Sequence, residues 1–438
     1  MLASLLRTSW PTLPLLPLSL LPVSAVTGAW RNEPLPGPLP SSAARAEIDW
    51  AGDLALLAAE LPKRHKNLFF HQPREEWEAK VEELAVQLDG LEDHEVVVEL
   101  MRLVASVGDG HTAVQWFNGP IARKVFPVQF HPFADGLRVV QAPRELAWSL
   151  GAEVTAVGGK PIDEAWARVA EVIAHENEAG VIATLPQHLE TPWIVHALGM
   201  GHDVDHATFT VKTEAGETKE LDLAPDGGLS LGKLGAEAKE APLWRQRRGE
   251  NYWWTFDAAQ ELLYLQFNRC TEDPKRPFAT VVEEIAAQVA KQAPARFVID
   301  LRHNGGGNSL VIQPLFGLLG KEKALRAKGK LFVAIGPNTF SSAMMNAVQL
   351  KQAYGALLVG EPTGGKPRSY GEILPLDLPS SKLRVMYSTK FFELVPDDAP
   401  SVMPDLPAPV RFAQWKEGRD PVLEAIDAAH PRAAAGGK

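Results

Sequence analysis

Four short apolar runs in the second half of the chain set the tightest limit on its fold. ELLYLQF (261–267), RFVIDLR (296–302), GKLFVAIG (329–336) and ALLVG (356–360) are nearly unbroken in hydrophobicity, and helix-type sequence lies between them. A strand with one wet face alternates apolar and polar residues, whereas a strand covered on both faces does not. Runs of this kind separated by helices therefore predict a buried, mostly parallel sheet of the α/β class. One separating helix is explicit in PFATVVEEIAAQVAKQ, where Phe278, Val281, Ile285 and Val289 share a face. Beyond the last run, residues 370–390 alternate around LPSSK, which predicts an antiparallel hairpin, and RDPVLEAIDAA predicts a short closing helix.

The rest of the chain reads differently. Residues 47–107 carry helical spacing, with Trp77, Val81, Leu84 and Leu88, then Val96, Leu100, Leu103 and Val107, recurring on one face each. From about 120 to 235 come short β-type runs such as FPVQF, LRVVQA and AEVTAVGG, with one helix over about 163–175 and a hairpin around Glu214-Ala215-Gly216. A glycine turn after a strand followed by a helix is the order found in PDZ-like modules. The expected division is a leader at 1–25, a Pro/Gly/Ser-rich linker at 26–46, a helical domain at 47–117, a β-rich domain at 118–240 and the α/β core at 250–438. The leader has one basic residue, Arg7, then a Leu/Pro-rich apolar stretch and small residues at Val23-Ser24-Ala25, the pattern of an export signal. Its prolines and its length argue against a membrane span, and no later segment is long enough for one, so a periplasmic or secreted protein without stable membrane insertion is expected.

Composition removes several function classes. With 44 Lys+Arg against 54 Asp+Glu, the formal charge of −10 gives no surface for neutralising nucleic-acid phosphates. A single cysteine, Cys270, makes no internal disulfide, and no Cys/His spacing marks a structural zinc. His202 and His206 are four residues apart, but they lie in a glycine-flanked loop, so no metal site and no cofactor are expected.

Four segments carry residues suited to chemistry. Val298-Ile-Asp-Leu-Arg-His-Asn-Gly-Gly-Gly307 runs a buried strand into three glycines. Their N–H groups can converge as an oxyanion hole, while the spacing fits no phosphate loop. Gly336-Pro-Asn-Thr-Phe-Ser-Ser-Ala343 places Ser341 and Ser342 between a strand and a helix running from Ala343 to about Ala353. There a serine is an N-cap or a nucleophile at the positive end of the helix dipole. Gly360-Glu-Pro-Thr-Gly-Gly-Lys366 ends in a lysine that reads as a loop charge or a desolvated base, and Gly108-Asp-Gly-His-Thr112 offers His111 as a general base.

Taken in order, GDGHT, VIDLRHNGGG, TFSSA and GEPTGGK, followed by Pro404-Asp405 and GRDPVLEA (418–425), resemble the C-terminal-processing (tail-specific) and tricorn-like serine peptidases over about residues 47–430. The resemblance implies a core shared with the Clp protease and crotonase folds, a helical N-terminal part and a PDZ-like insertion. It implies a serine nucleophile that hydrolyses peptide bonds of flexible polypeptides or peptides through an acyl-enzyme, with no cofactor. The family's pattern, similar to T-x-S-(A/S)-A-E, lands on Ser341 with Thr339 two before it, and leaves Ser342 as a neighbouring candidate. Lys366 stands 25 residues after Ser341, the spacing of the family's serine–lysine dyads. His111 stands where the tricorn-like members have a histidine. A histidine is neutral near pH 7 without a large shift, whereas a lysine must be desolvated, so His111 is the first expectation for the base and Lys366 the second. Backbone N–H groups of Gly305 or Gly306 and of Ser342 are the expected oxyanion donors.

The sequence departs from the pattern at Met344, where the family has Glu, and its acidic partner has only Asp397 and Asp398 as nearby counterparts. That departure keeps open a catalytically inactive member of the fold that binds a ligand or a peptide, as the similar interphotoreceptor retinoid-binding proteins do.

Overall fold

The computed structural model describes residues 48–121, 124–225 and 241–430. The leader and the linker expected before residue 47 lie outside the described residues. Three helices come first: α1 (Trp50–Arg64), α2 (Arg74–Gln87) and α3 (Asp93–Ala105). The strongly amphipathic α3 starts in a capping box, Glu92 and Glu95 exchanging side-chain and backbone bonds, and buries Val96, Val97, Leu100 and Val104.

A short strand β1 (Ala113–Val114) leads into a β-rich part: β2 (Gln129–Phe133), β3 (Gly136–Gln141), β4 (Glu153–Val157), β5 (Lys160–Pro161), β6 (Ala207–Lys212) and β7 (Thr218–Leu223). They form an antiparallel sheet in the order β2-β3-β4-β6-β7, with β5 against β4. The expected hairpin is present as β6–β7, turning through Gly216 at φ +86°. The helical content between β5 and β6 exceeds the expectation. Instead of one helix near 163–175 there are α4 (Ile162–Ala170), α5 (Glu178–Leu189) and α6 (Pro192–Ala197). Two prolines obscure this in the sequence: Pro186 sits inside α5, and Pro192 occupies the first turn of α6, where its missing N–H costs nothing.

The second half forms the expected parallel sheet. Its strands β8 (Tyr252–Asp257), β9 (Leu262–Phe267), β10 (Arg296–Asp300), β11 (Leu331–Ile335) and β12 (Leu357–Gly360) alternate with α7 (Phe278–Lys291), α8 (Gln313–Lys321) and α9 (Ser342–Tyr354). The hairpin β13 (Arg368–Asp377) and β14 (Arg384–Glu393), the edge strand β15 (Leu406–Pro407), α10 (Phe412–Lys416) and α11 (Pro421–Ala429) follow. Strand order is β15-β12-β11-β10-β9-β8, parallel except for β8. Period-two alternation sends Leu263, Leu265, Phe297, Ile299 and Val333 towards one face, under α7, α8 and α9, and Leu262, Tyr264, Val298 and Phe332 towards the other, under α11. Both sets are buried, which is why the strands read as unbroken apolar runs.

The 378–382 hairpin turn is tied back to α1, where buried Asp53 accepts the Ser380 and Ser381 N–H groups. β14 pairs with β1, so the segment carrying His111 is anchored to the second half of the chain. Among the described residues no helix is long and apolar enough to cross a membrane.

Candidate active site

The glycine run, the serine turn and Gly360–Lys366 follow β10, β11 and β12. They therefore stand together at the carboxyl ends of adjacent parallel strands, where open α/β sheets bind ligands. Below them lies a buried ionic platform. Arg302 donates to Asp300 (Nε to Oδ2, 3.0 Å) and forks onto both oxygens of Asp420 at 2.9 Å, while Tyr264 donates to Asp300 at 2.6 Å. Asp420 also caps α11. The bidentate geometry and full burial fix the strand end from which the glycines depart.

Ser341 occupies the N-cap position of α9 with φ +52° and ψ −128°. This backbone region costs a non-glycine residue about 1–3 kcal/mol and persists only where neighbours over-determine it. Thr339 supplies much of that constraint. Its hydroxyl donates to the Leu301 carbonyl at 2.9 Å and accepts the Gly336 N–H at 3.0 Å, and the Phe340 N–H donates to the Asn304 carbonyl at 3.1 Å. The Ser341 hydroxyl itself is hydrogen-bonded to no described residue. Its neighbour differs: the Ser342 hydroxyl donates to the Gly307 carbonyl at 2.6 Å, tying α9 to the glycine loop.

The loop lies directly on the serine. A Cβ added to Gly306, at φ +108°, would stand 2.7 Å from the Ser341 Cβ and 3.2 Å from its Oγ. The Gly306 N–H is engaged by the Asn304 side chain at 3.0 Å. The Gly305 N–H has no acceptor among the described residues, and the Ser342 N–H sits in the first helical turn, where N–H groups have no intrahelical acceptor. Behind the loop, Cys270 is buried against Asn304 and Asn346, and burial pushes its thiol up to about 12.

His111 comes from the other half of the chain. Its ring stacks on Phe340, the residue before Ser341, with centroids 4.4 Å apart. The side chain is 10% exposed, and Nδ1 lies 3.9 Å from Oδ1 of Asp109 and 3.9 Å from Oε1 of Glu176. Burial alone would lower the imidazole pKa, but the two carboxylates outweigh it and raise it above the ordinary value. Asp109 is itself held firmly. It accepts the Thr112 hydroxyl at 2.5 Å, the His111 N–H at 3.0 Å and the His65 ring at 3.0 Å. Because His65 Nδ1 accepts the Asn67 N–H, its Nε2 is the nitrogen that donates. Burial would raise Asp109, yet the His65 donor and the charge of His111 hold it down to about 2.

Glu176, from the loop between α4 and α5, completes the cluster, and sequence reasoning missed it. One oxygen accepts the Lys366 N–H at 2.7 Å, and the side chain is 4% exposed. Asn177 beside it caps α5 and donates to the Thr363 and Pro400 carbonyls and to Ser401, so this loop is clamped onto the core. The sequence signal was the Asn N-cap, which locates a helix start but not the loop's distant contact.

Lys366 stands close by, but its Nζ is paired with Asp398 at 2.9 Å. Met344 is buried in the core under Gly365 and Phe340. His202 bonds Thr208 and His206 bonds Asp203, so the two rings do not share a ligand point. Two cavities flank the cluster. One of about 1280 Å³ is lined by Asp109, Glu176, Lys366, Tyr370 and Phe391. The other, of about 180 Å³, is largely apolar and lined by Trp116, Phe117, Ile173, Gly305 and Phe340.

No protein-family model matches the chain, and no curated protein matches it by sequence. Solved structures do. Mature CPAF complexed with lactacystin aligns at a TM-score of 0.59 and 14% identity, covering 87% of this chain and 97% of that one. Mature CPAF alone aligns at 0.57 and 14%, covering 87% and 96%. The chain has this fold. The photosystem II D1 C-terminal processing protease also aligns, at 13% identity over 86% of this chain and 99% of that one. At a TM-score of 0.39 that overlap is too loose to show a shared fold.

Proposed function

We propose that this chain is an exported serine peptidase of the tail-specific, tricorn-like type, with a Clp protease/crotonase-like core at 250–438, a helical domain at 47–117 and a PDZ-like domain at 118–240. The observation that carries the reading is Ser341: a strained residue at a strand-to-helix turn, its hydroxyl bonded to no described residue, pressed against a glycine loop.

Ser341 attacks the carbonyl of a peptide bond. His111 takes the serine proton and returns it to the leaving amine, after its ring nitrogen comes within about 2.6–3.2 Å of the hydroxyl in the substrate complex. Asp109 and Glu176 orient the ring and stabilise the imidazolium. The N–H groups of Gly305 and Ser342 receive the oxyanion, since that of Gly306 is already engaged. Water then hydrolyses the acyl-enzyme by the same proton path. His111 stands ahead of Lys366 as the proposed base, since the Lys366 Nζ is turned to Asp398 at 2.9 Å.

Hydrolysis of casein and of a mixed peptide library by the purified protein tests this. Ser341→Ala is expected to lower turnover by at least ~10⁴-fold with an unchanged melting curve. His111→Ala should be crippled, and Lys366→Ala should retain most activity. Cleavage that persists in Ser341→Ala removes the assignment. No cleavage by either form favours a ligand-binding member of the fold.

A further inference from the structure

We propose that Asp109, His111 and Glu176 form a binding site for one divalent transition metal of the zinc class, and that the bound ion withdraws His111 from proton transfer. The ligand atoms of the three residues all lie within 4.8 Å of one another, with His111 Nδ1 3.9 Å from an oxygen of each carboxylate. Zinc holds nitrogen and carboxylate oxygen at about 2.0–2.2 Å in a tetrahedron, so two ligands of one ion stand about 3.3–3.6 Å apart. Both 3.9 Å gaps come within that range by a small movement of the side chains, and a rotation closes the third.

The unused atoms point the same way. Nδ1 of His111 and Oε1 of Glu176 are buried and make no hydrogen bond among the described residues, although their side chains are only 10% and 4% exposed. A buried polar atom without a partner is costly, and a cation at their common point satisfies both. Two buried carboxylates converge on that point beside the ring, oxygen donors suited to a divalent ion.

The surrounding bonds are those that orient metal ligands. The His65 ring and the Thr112 hydroxyl hold Asp109, and the Lys366 N–H holds the second oxygen of Glu176. The cavity of about 1280 Å³ that reaches Asp109 and Glu176 supplies the entry path. An imidazole with two carboxylates favours zinc, cobalt or nickel over magnesium and calcium. Three protein ligands leave a coordination position open to water.

The inhibitory consequence rests on the reading of His111 as base, whereas the binding does not, and the test separates them. Chelator-treated, tag-free protein is titrated with zinc chloride by calorimetry, and with cobalt chloride by visible absorption. One ion per chain is expected, with ligand-field bands of mixed nitrogen and oxygen coordination. Glu176→Gln should weaken binding at least ~10-fold. His206→Ala, which removes the exposed Asp203–His206 pair, should leave it unchanged. Cobalt spectra of the wild-type chain report the ligand set even if Glu176→Gln fails to fold. Absence of stoichiometric binding, or binding indifferent to Glu176→Gln, overturns the site. Zinc bound at this site should also arrest serine-dependent hydrolysis, reversibly on chelation. Undiminished or accelerated hydrolysis overturns the inhibitory role. Metal binding with no hydrolysis under any condition leaves the site standing and removes the peptidase reading.

Discussion

Replacing Gly306 by alanine is the sharpest test of how the glycine loop serves Ser341. The new Cβ would stand 2.7 Å from the Ser341 Cβ, 3.2 Å from its hydroxyl and 3.2 Å from the Phe340 carbonyl. Carbon atoms pack at about 3.5–4.0 Å, so the overlap approaches 1 Å. It cannot be relieved by a rotamer change, because both Cβ atoms are fixed to backbone. The φ of +108° adds a penalty of about 1–3 kcal/mol for any residue with a Cβ. Overpacking adds about 1–3 kcal/mol more. Together these give a destabilisation of about 2–6 kcal/mol, read as a shift of the midpoint in urea unfolding. The loop can escape the clash only by backing away from the serine. A displacement of that order in a catalytic constellation costs about 10²-fold in rate, so turnover of a reporter peptide should fall by at least that factor. Gly317→Ala is the internal control. It lies within α8 with no atom within 4 Å of its added Cβ, and should be neutral or stabilising by about 0.5–1 kcal/mol. If Gly306→Ala keeps both wild-type stability and wild-type turnover, the contact between loop and serine is not as described.

Two further outcomes follow from the site. The two carboxylates raise the His111 pKa, and on the reading of His111 as base it must be neutral, so the acidic limb of kcat/KM should have its midpoint above the value of about 6.5 for a free imidazole. Removing one negative charge in Glu176→Gln destabilises the imidazolium, so the limb should move to lower pH; an unmoved or upward limb contradicts the cluster. Cys270, buried and with its thiol pushed up to about 12, should resist iodoacetamide at neutral pH until the protein is unfolded. Rapid alkylation of the folded chain would show that the pocket behind the glycine loop opens.

What the sequence disclosed was set by the range of the interactions involved. The β9, β10, β11 and β12 strands were legible because burial on both faces leaves its mark within each run. So were α7, α9 and the hairpin of β13 and β14, whose patterns are local. The helices α5 and α6 escaped notice although Val181, Leu185 and Leu189 recur at helical spacing, since Pro186 and Pro192 read as breaks. The site was legible only in pieces. Motif spacing brought out Ser341, His111 and Lys366. Nothing local distinguished Gly305 from Gly306, which differ by the bond of the Gly306 N–H to Asn304, and the motif that favoured Ser341 could not show the bond that ties Ser342 to Gly307. Glu176 lies 190 positions from the Lys366 N–H it accepts, a distance no periodicity reaches. The neutralising partner of Lys366, Asp398, belongs to the same class of long-range contact.

The clamp made by Asn177 has a consequence for how such a chain is born. His111 and Glu176 leave the ribosome early, Ser341 much later, and Ser401, which Asn177 needs to hold its loop, later still. No fragment that ends before Ser401 contains the whole clamp, so a growing chain holds Asp109, His111 and Glu176 without the contacts that fix their loop until the last part of the sheet is in place. On the peptidase reading, the order of synthesis itself therefore postpones activity until the chain is nearly finished.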